Sequence, residues 1–261
     1  MSISRSVFEH NGLRLSYLDS GEEGRPLIAL HGHFMEGSTF ASLATELAPE
    51  WRVIALDQRG HGQSDHAKGY ARSDYISDME GLYRHLGLAQ AVILGSSLGG
   101  VNAYQFAARY PERVIALIIE DIDAEVADDI SFALAWEGTF DTREELVKRV
   151  GPRFAPYLMD SFRETAAGWK LAFEPKEMVV PQDLLNGGHW EDWLASDCPA
   201  LLIRGRESRV TTAEQVAEMA QRRANTTLVT LDGGHILHVE NPVGFTAAIK
   251  GFLKHLESPR N

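Results

Sequence analysis

The stretch Ala91–Gly100, AVILGSSLGG, constrains the fold more than any other part of the chain. It opens as an apolar, β-branched run, which predicts a buried strand, and then turns sharply through small residues. Gly95-Ser96-Ser97-Leu98-Gly99 fits G-x-S-x-G with Ser97 at its centre. That pattern makes a tight strand-to-helix turn holding a serine in a strained, exposed position. The glycines two before and two after are needed because a Cβ there would collide with the neighbouring strand or helix. Val101–Tyr110 continues as a helix pattern, so a helix N-terminus sits beneath Ser97 and favours negative charge there. A glycine-serine loop without chemistry would satisfy the same five residues, so the rest of the chain has to decide.

The strand-then-helix rhythm recurs on both sides. Ser4–Glu9 and Leu13–Asp19 alternate apolar and polar around His10-Asn11-Gly12, which predicts an antiparallel hairpin at a sheet edge. Pro26–Leu30, Trp51–Leu56 and Val114–Glu120 are short apolar runs of the kind buried on both faces, and Ala200–Arg204 and Thr226–Leu231 read as further strands. Between them Gly37–Leu47, Ser73–Leu86, Thr212–Arg223 and Pro242–Leu256 read as helices. Such alternation implies a mostly parallel sheet with helices on both faces. The rhythm breaks after Asp123. Ala124–Asp197 holds no clear buried strand but three helix-like stretches, Asp128–Trp136, Thr142–Val150 and Pro156–Ala167, punctuated by proline and glycine. The expected organisation is an α/β core over 1–123 and 198–261 with an inserted helical lid at 124–197. At 261 residues and 44% hydrophobic, the chain can bury one large core of this kind.

Sites in such sheets lie at the carboxyl ends of the strands. The conspicuous polar clusters all fall there: His31–Phe34, Asp57–Ser64, Ser97, Asp121 and Asp232–His235. A serine hydroxyl needs a base to take its proton as it attacks. His235 follows the last strand, and Asp232-Gly233-Gly234 lets its loop bend towards the sheet edge. His238 is a poorer base and is expected to pack on the closing helix. Asp57–Ser64 reads as a rigid structural turn, His31 as a brace for its own loop, and no metal-ligand spacing appears.

With four motifs at these strand ends in order, the chain resembles the α/β-hydrolase fold family over nearly its whole length. The carriers are HGHF at 31–34, DQRGHGQSD at 57–65, GSSLGG at 95–100 and GGHILHVENP at 233–242. The order Ser…acid…His is the one this family uses. The resemblance implies Ser97 as nucleophile, His235 as base, and the backbone N–H groups of Leu98 and His33 as oxyanion donors. The His33 ring itself either points into the pocket or faces solvent. Most members carry the acid as an aspartate after the penultimate strand; here that loop reads Gly205-Arg206-Glu207-Ser208-Arg209, with Ser208 in that place. Some subgroups, haloalkane dehalogenases and certain amide hydrolases among them, take it from the end of the strand after the nucleophile helix. In this chain that is Asp121, with Glu207 and Asp123 as alternatives. Phe34, Trp136, His189 and Trp190 are candidate pocket residues, although aromatics of the lid also have its own small core to build.

The resemblance implies a serine hydrolase opening a small carboxylic ester, lactone, thioester or amide through an acyl-enzyme, with no cofactor. The same scaffold also carries C–C hydrolases, lyases, cofactor-free oxygenases and haloperoxidases, and small-molecule receptors, and fold does not decide among them. With 25 basic and 37 acidic side chains the net charge is −12, which argues against a nucleic-acid or anionic-membrane partner and leaves a small-molecule substrate. The single Cys198 excludes an internal disulfide and reads as a buried, inert thiol. No apolar signal core opens the chain, so a cytoplasmic location is expected. A homodimer is compatible with the sequence, which does not address it.

Overall fold

The computed structural model describes residues 3–257. Two strands, β1 (Ser4–His10) and β2 (Leu13–Asp19), form the expected hairpin. Asn11 and Gly12 turn it with φ of 49° and 77°, the left-handed geometry that matches the twist of paired strands. The chain then alternates through β3 (Arg25–Leu30), α1 (Ala41–Leu47), β4 (Trp51–Leu56), α2 (Arg72–Leu86), β5 (Ala91–Ser96), α3 (Leu98–Arg109) and β6 (Val114–Glu120). An insertion follows. It holds β7 (Glu125–Val126), α4 (Arg143–Val150), a hairpin of β8 (Phe162–Thr165) and β9 (Gly168–Leu171), α5 (Pro175–Leu185), β10 (Gly187–Gly188) and α6 (Trp190–Leu194). The rhythm resumes with β11 (Ala200–Gly205), α7 (Ala213–Arg222), β12 (Thr226–Leu231), α8 (Leu237–Glu240) and α9 (Pro242–Glu257).

The sheet has eight strands in the order β1-β2-β4-β3-β5-β6-β11-β12. Only β2 runs antiparallel to its neighbours; β4 through β12 pair in parallel. The alternation of side chains along each strand divides the core in two. Ile28, Leu30, Ile93, Leu117 and Ile119 face α2 and α3, packing on Leu82, Tyr83, Val101 and Tyr104. Leu27, Ala29, Val92, Leu94 and Ile118 face α1 and α9, packing on Leu47, Phe245 and Ile249. Each fully buried branched side chain of this kind is worth about 1.5–3 kcal/mol, so the sheet centre is the rigid base on which the loops at its carboxyl edge stand.

The insertion departs from the sequence reading. Pro156–Ala167 is not a helix: two 3-10 turns, Ala155–Tyr157 and Met159–Ser161, lead into the β8–β9 hairpin. The hairpin closes where Thr165 Oγ1 donates to the Gly168 carbonyl at 2.8 Å, Gly168 taking a φ of 122°. Asp128–Trp136 forms only a 3-10 turn over Ser131–Trp136. Conversely, α5 forms where the prolines suggested a break. Pro175 sits in its first turn, where a missing N–H costs nothing, and Pro181 is carried inside it. The insertion has its own core, in which Trp136, Leu146, Phe162, Phe173 and Met178 pack with Phe34 from the sheet edge. Among the described residues no helix is long and apolar enough to cross a membrane.

Candidate active site

Ser97 separates β5 from α3 at φ 51° and ψ −119°. A non-glycine residue held there costs of order 1–3 kcal/mol, which the surrounding packing must absorb. The glycines work as expected: a Cβ on Gly95 would run into the Gly99 carbonyl, and one on Gly99 into the Leu30 carbonyl. Among the described residues five non-glycines have positive φ. Asn11 and Asn225 are of the type that tolerates it, and the other three, Phe34, Ser97 and Asp121, stand at the carboxyl edge of the sheet. The Ser97 carbonyl accepts from Gly100 N–H at 2.8 Å and Val101 N–H at 3.3 Å. Leu98 is the first residue of α3, so its N–H has no acceptor within the helix. On the other side the β3–α1 loop passes close: a Cβ on Gly32 would lie 3.1 Å from Ser97 Cβ and 3.7 Å from its Oγ. This brings the backbone of His33 beside the serine.

Asp121 directly follows β6 with a φ of 46° and is 2% exposed. His235 Nδ1 donates to its Oδ2 at 2.8 Å. The carboxylate is held from three further directions. Gly205 N–H and Thr211 Oγ1 donate to Oδ1, each at 3.0 Å, and Ser208 Oγ donates to Oδ2. Ser208 Oγ in turn accepts from Val210 N–H at 3.1 Å and Thr211 N–H at 3.3 Å. The loop that in most relatives of this fold was expected to carry the acid here carries a hydroxyl that binds the acid from the neighbouring strand. With its proton on Nδ1, the imidazole of His235 presents Nε2 as a lone pair. Among the described hydrogen bonds His235 makes only the one to Asp121, and none joins it to Ser97.

The other candidate acids are engaged elsewhere. Glu207 accepts from Gly233 N–H at 2.5 Å, tying its loop to the one that carries His235. Asp123 Oδ1 accepts from Glu125 N–H at 2.7 Å; burial pushes its carboxyl up to about 6, an effect that the N–H offsets only in part. His238 does more than pack on α9. Its Nδ1 donates to Glu120, one residue before Asp121, at 2.7 Å, and Thr39 Oγ1 lies 2.8 Å from its Nε2. His31 braces its loop as expected: Nδ1 donates to Gly32 O at 2.7 Å and Nε2 accepts from Gln58 N–H at 3.0 Å. Asp57 is structural too, accepting from Gly37 N–H at 2.8 Å, from Gln63 N–H at 3.0 Å and from Arg5.

The aromatic candidates divide. Phe34 meets Trp136 at 5.2 Å between ring centroids and Phe173 at 5.3 Å, so it joins the sheet edge to the insertion. Trp136 is 4% exposed within the insertion's core. Trp190 lies under the Arg222 guanidinium, 3.8 Å from its ring centroid, which turns one face of the ring towards α7. His189 Nε2 donates to Leu185 O at 2.7 Å, making it a brace of the insertion. Cys198 is half-buried, with Arg223 Nη2 3.5 Å from its Sγ.

A group of buried polar atoms that the sequence did not reveal lies around the His33 ring. Both ring nitrogens of His33 are buried and make no hydrogen bond of good geometry, with the Gln182 side chain close enough to act on the ring, so the ring turns inward. His61 lies 6.0 Å from it, ring to ring, donates Nδ1 to Arg59 O at 3.0 Å and leaves Nε2 unpartnered. Arg72, the first residue of α2, leaves Nη1 unpartnered, as Tyr75 leaves its hydroxyl. Burial pushes His31 down to about 4 and His61 to about 3, and holds His33 well below the usual histidine range. All three rings are neutral near pH 7.

The α/β hydrolase fold family profile matches residues 25–242, and the chain belongs to that family. The 2-(acetamidomethylene)succinate hydrolase of Mesorhizobium japonicum is 26% identical over 96% of this chain and 95% of its own. The 3-oxoadipate enol-lactonase 2 of Acinetobacter baylyi is 27% identical over 92% of this chain and 93% of its own. Among solved structures, E-2-(acetamidomethylene)succinate hydrolase superposes with a TM-score of 0.87 at 23% identity, covering 97% of this chain and all of that one. The family and these relatives support a hydrolase of this fold.

Proposed function

We propose that the protein is a serine hydrolase that opens a small carboxylic ester, lactone, thioester or amide through an acyl-enzyme. The observation that carries this reading is the His235–Asp121 hydrogen bond, standing at the same sheet edge as a serine held on a strained elbow. In the proposed reaction Ser97 Oγ attacks the carbonyl carbon as His235 Nε2 takes its proton. Asp121 keeps the other imidazole proton on Nδ1 and stabilises the imidazolium. The N–H groups of Leu98 and His33 hold the oxyanion. The imidazolium then protonates the leaving group. A water, deprotonated by the same nitrogen, attacks the acyl carbon; the acyl–Oγ bond breaks and the imidazolium returns its proton to Ser97 Oγ. Hydroxyl–imidazole contacts of this kind are commonly long until substrate binds. The insertion acts as the lid that encloses a small substrate. Two relatives are named for a 2-(acetamidomethylene)succinate and an enol-lactone, and their breadth supports an acyl substrate.

The test is a panel of p-nitrophenyl esters, lactones and anilides on the wild type and Ser97→Ala, with a fluorophosphonate probe to label the nucleophile. Labelling of Ser97 and a burst of product on mixing are expected. Turnover that survives Ser97→Ala would replace this reading with a base-only reaction run by His235.

A further inference from the structure

We propose that the unpartnered polar atoms around Arg72 form a subsite for a carboxylate, so that the preferred substrate is an acyl compound carrying a free carboxylate away from the scissile bond. The proposal rests on the hydrolase reading above and deepens it. Arg72 is half-buried, and its direct hydrogen-bond partners are all neutral. Its Nε and Nη2 donate to Gln105 Oε1 at 3.1 and 3.0 Å, and Nη2 also donates to Asn102 Oδ1. Its Nη1 is buried and donates to nothing. Arg59, by contrast, is anchored on a carboxylate, donating to Asp78 at 2.7 and 2.8 Å. A partly desolvated cation with no carboxylate in direct contact is costly, and a free donor on it compounds the cost.

Its position points the same way. Arg72 is the first residue of a 15-residue helix, the end at which the helix dipole disfavours a cation. It binds Asn102, which lies one turn along α3 from Leu98 and so near the end of the helix that follows Ser97. Its charge also reaches the His33 ring, whose backbone flanks the serine. Two helix N-termini and a guanidinium therefore add their positive potential beside the acyl position, inside a chain of net charge −12. The free hydroxyl of Tyr75, whose ring lies 5.2 Å from the guanidinium, adds a neutral donor nearby. Carboxylate suits this set better than phosphate. Gln105 links Arg72 to Asp192, donating to its Oδ2 at 2.8 Å, and a dianion would be repelled by that charge where a monoanion is matched by the single guanidinium.

The experiment compares monomethyl glutarate with dimethyl glutarate, which differ only in the free carboxylate. Wild type is expected to favour the monoester at least tenfold in kcat/KM. Arg72→Gln is expected to cut that ratio at least 30-fold. Arg72→Lys keeps the charge without the planar fork and should cut it at least fivefold; it carries the test should Arg72→Gln not fold. A ratio of one or below in wild type, or a ratio unmoved by the folded variant, overturns the subsite. Glutarate binding is measured separately by calorimetry on Ser97→Ala and Ser97→Ala/Arg72→Gln. Binding that requires Arg72, without turnover of any ester by wild type, keeps the subsite and removes the hydrolase reading. Turnover through Ser97 with no Arg72-dependent binding of glutarate does the reverse. Inorganic phosphate binding as tightly as glutarate overturns the assignment to carboxylates.

Discussion

The three neutral histidines beneath the site make stability fall with acid. His31 and His61 are fully buried, 5.0 Å apart between ring centroids. His31 Nε2 already accepts from Gln58 N–H, so adding a proton there sets two donors face to face. In the unfolded chain both rings titrate near 6.5; in the fold they do so at about 4 and about 3. A base whose folded value is depressed contributes stability that is present above the unfolded value and lost as pH falls below it. Each differential proton is worth about 1.4 kcal/mol per pH unit, so two give a slope of about 2.7 kcal/mol per unit below pH 6.5. By pH 4.5 their combined loss is about 5 kcal/mol, a large part of the ~5–15 kcal/mol that a domain holds. His33 adds to it in the same direction. Asp123 opposes it, because a carboxyl titrating near 6 in the fold binds its proton before the unfolded chain does. Urea unfolding at pH 7.5, 6.5, 5.5 and 4.5, followed by tryptophan fluorescence, reads the slope, and His61→Gln should remove close to half of the two-histidine share. Stability flat to within about 1 kcal/mol across this range, or a slope that His61→Gln leaves intact, would refute the reasoning.

Asp121→Asn is expected to lower kcat by about 10³–10⁴ with KM changed little, since the imidazole loses both its orientation and its charge partner. Glu207→Gln should stay within about threefold because that carboxylate serves a loop; the opposite ranking in steady-state assays would move the acid to Glu207. Exchanging the two groups, Asp121→Ser with Ser208→Asp, should recover at least about tenfold of the kcat lost by Asp121→Ser alone; no recovery in a folded protein would show that the loop after β11 cannot present a carboxylate to His235. Asp123→Asn should stabilise the fold at pH 8, where the native carboxylate is buried and charged, and lose that advantage as pH falls through about 6. Chemical denaturation of both proteins at pH 8 and 5 measures it, and an equal difference at the two values would contradict the burial argument.

The sheet was legible because strands buried on both faces, such as PLIAL and VIALIIE, admit few other readings. The elbow was legible because its glycines answer to backbone collisions that any such turn must avoid. The insertion was not. Its elements are short and their local signals conflict: a hairpin formed where Pro156–Ala167 suggested a helix, and α5 formed through Pro175 and Pro181. What decides them is packing into a shared core with Phe34, which lies about a hundred residues earlier in the chain and in no local window of the insertion. Arg72 shows the same limit at the site. As a sequence letter it is one arginine at the start of an amphipathic helix, and only α3 coming alongside gives it neutral partners and a free nitrogen.

Ser208 was the one departure visible in the sequence, and the structure explains how a fold absorbs it. β6 and β11 are adjacent and parallel, so Asp121 and the loop after Gly205 leave the sheet side by side, about 4.8 Å apart at the strand ends. Either end is therefore near enough to one imidazole to supply its acid. Two carboxylates at once would repel, and one of them would have to stay protonated to relieve it. A carboxylate on β6 and a hydroxyl after β11 avoid that conflict. The hydroxyl donates to the same Oδ2 that receives His235 Nδ1, while its own oxygen collects the N–H groups of Val210 and Thr211. The departure at 208 and the aspartate at 121 are thus one arrangement, in which the loop that gives up the charge holds in place the charge that serves His235.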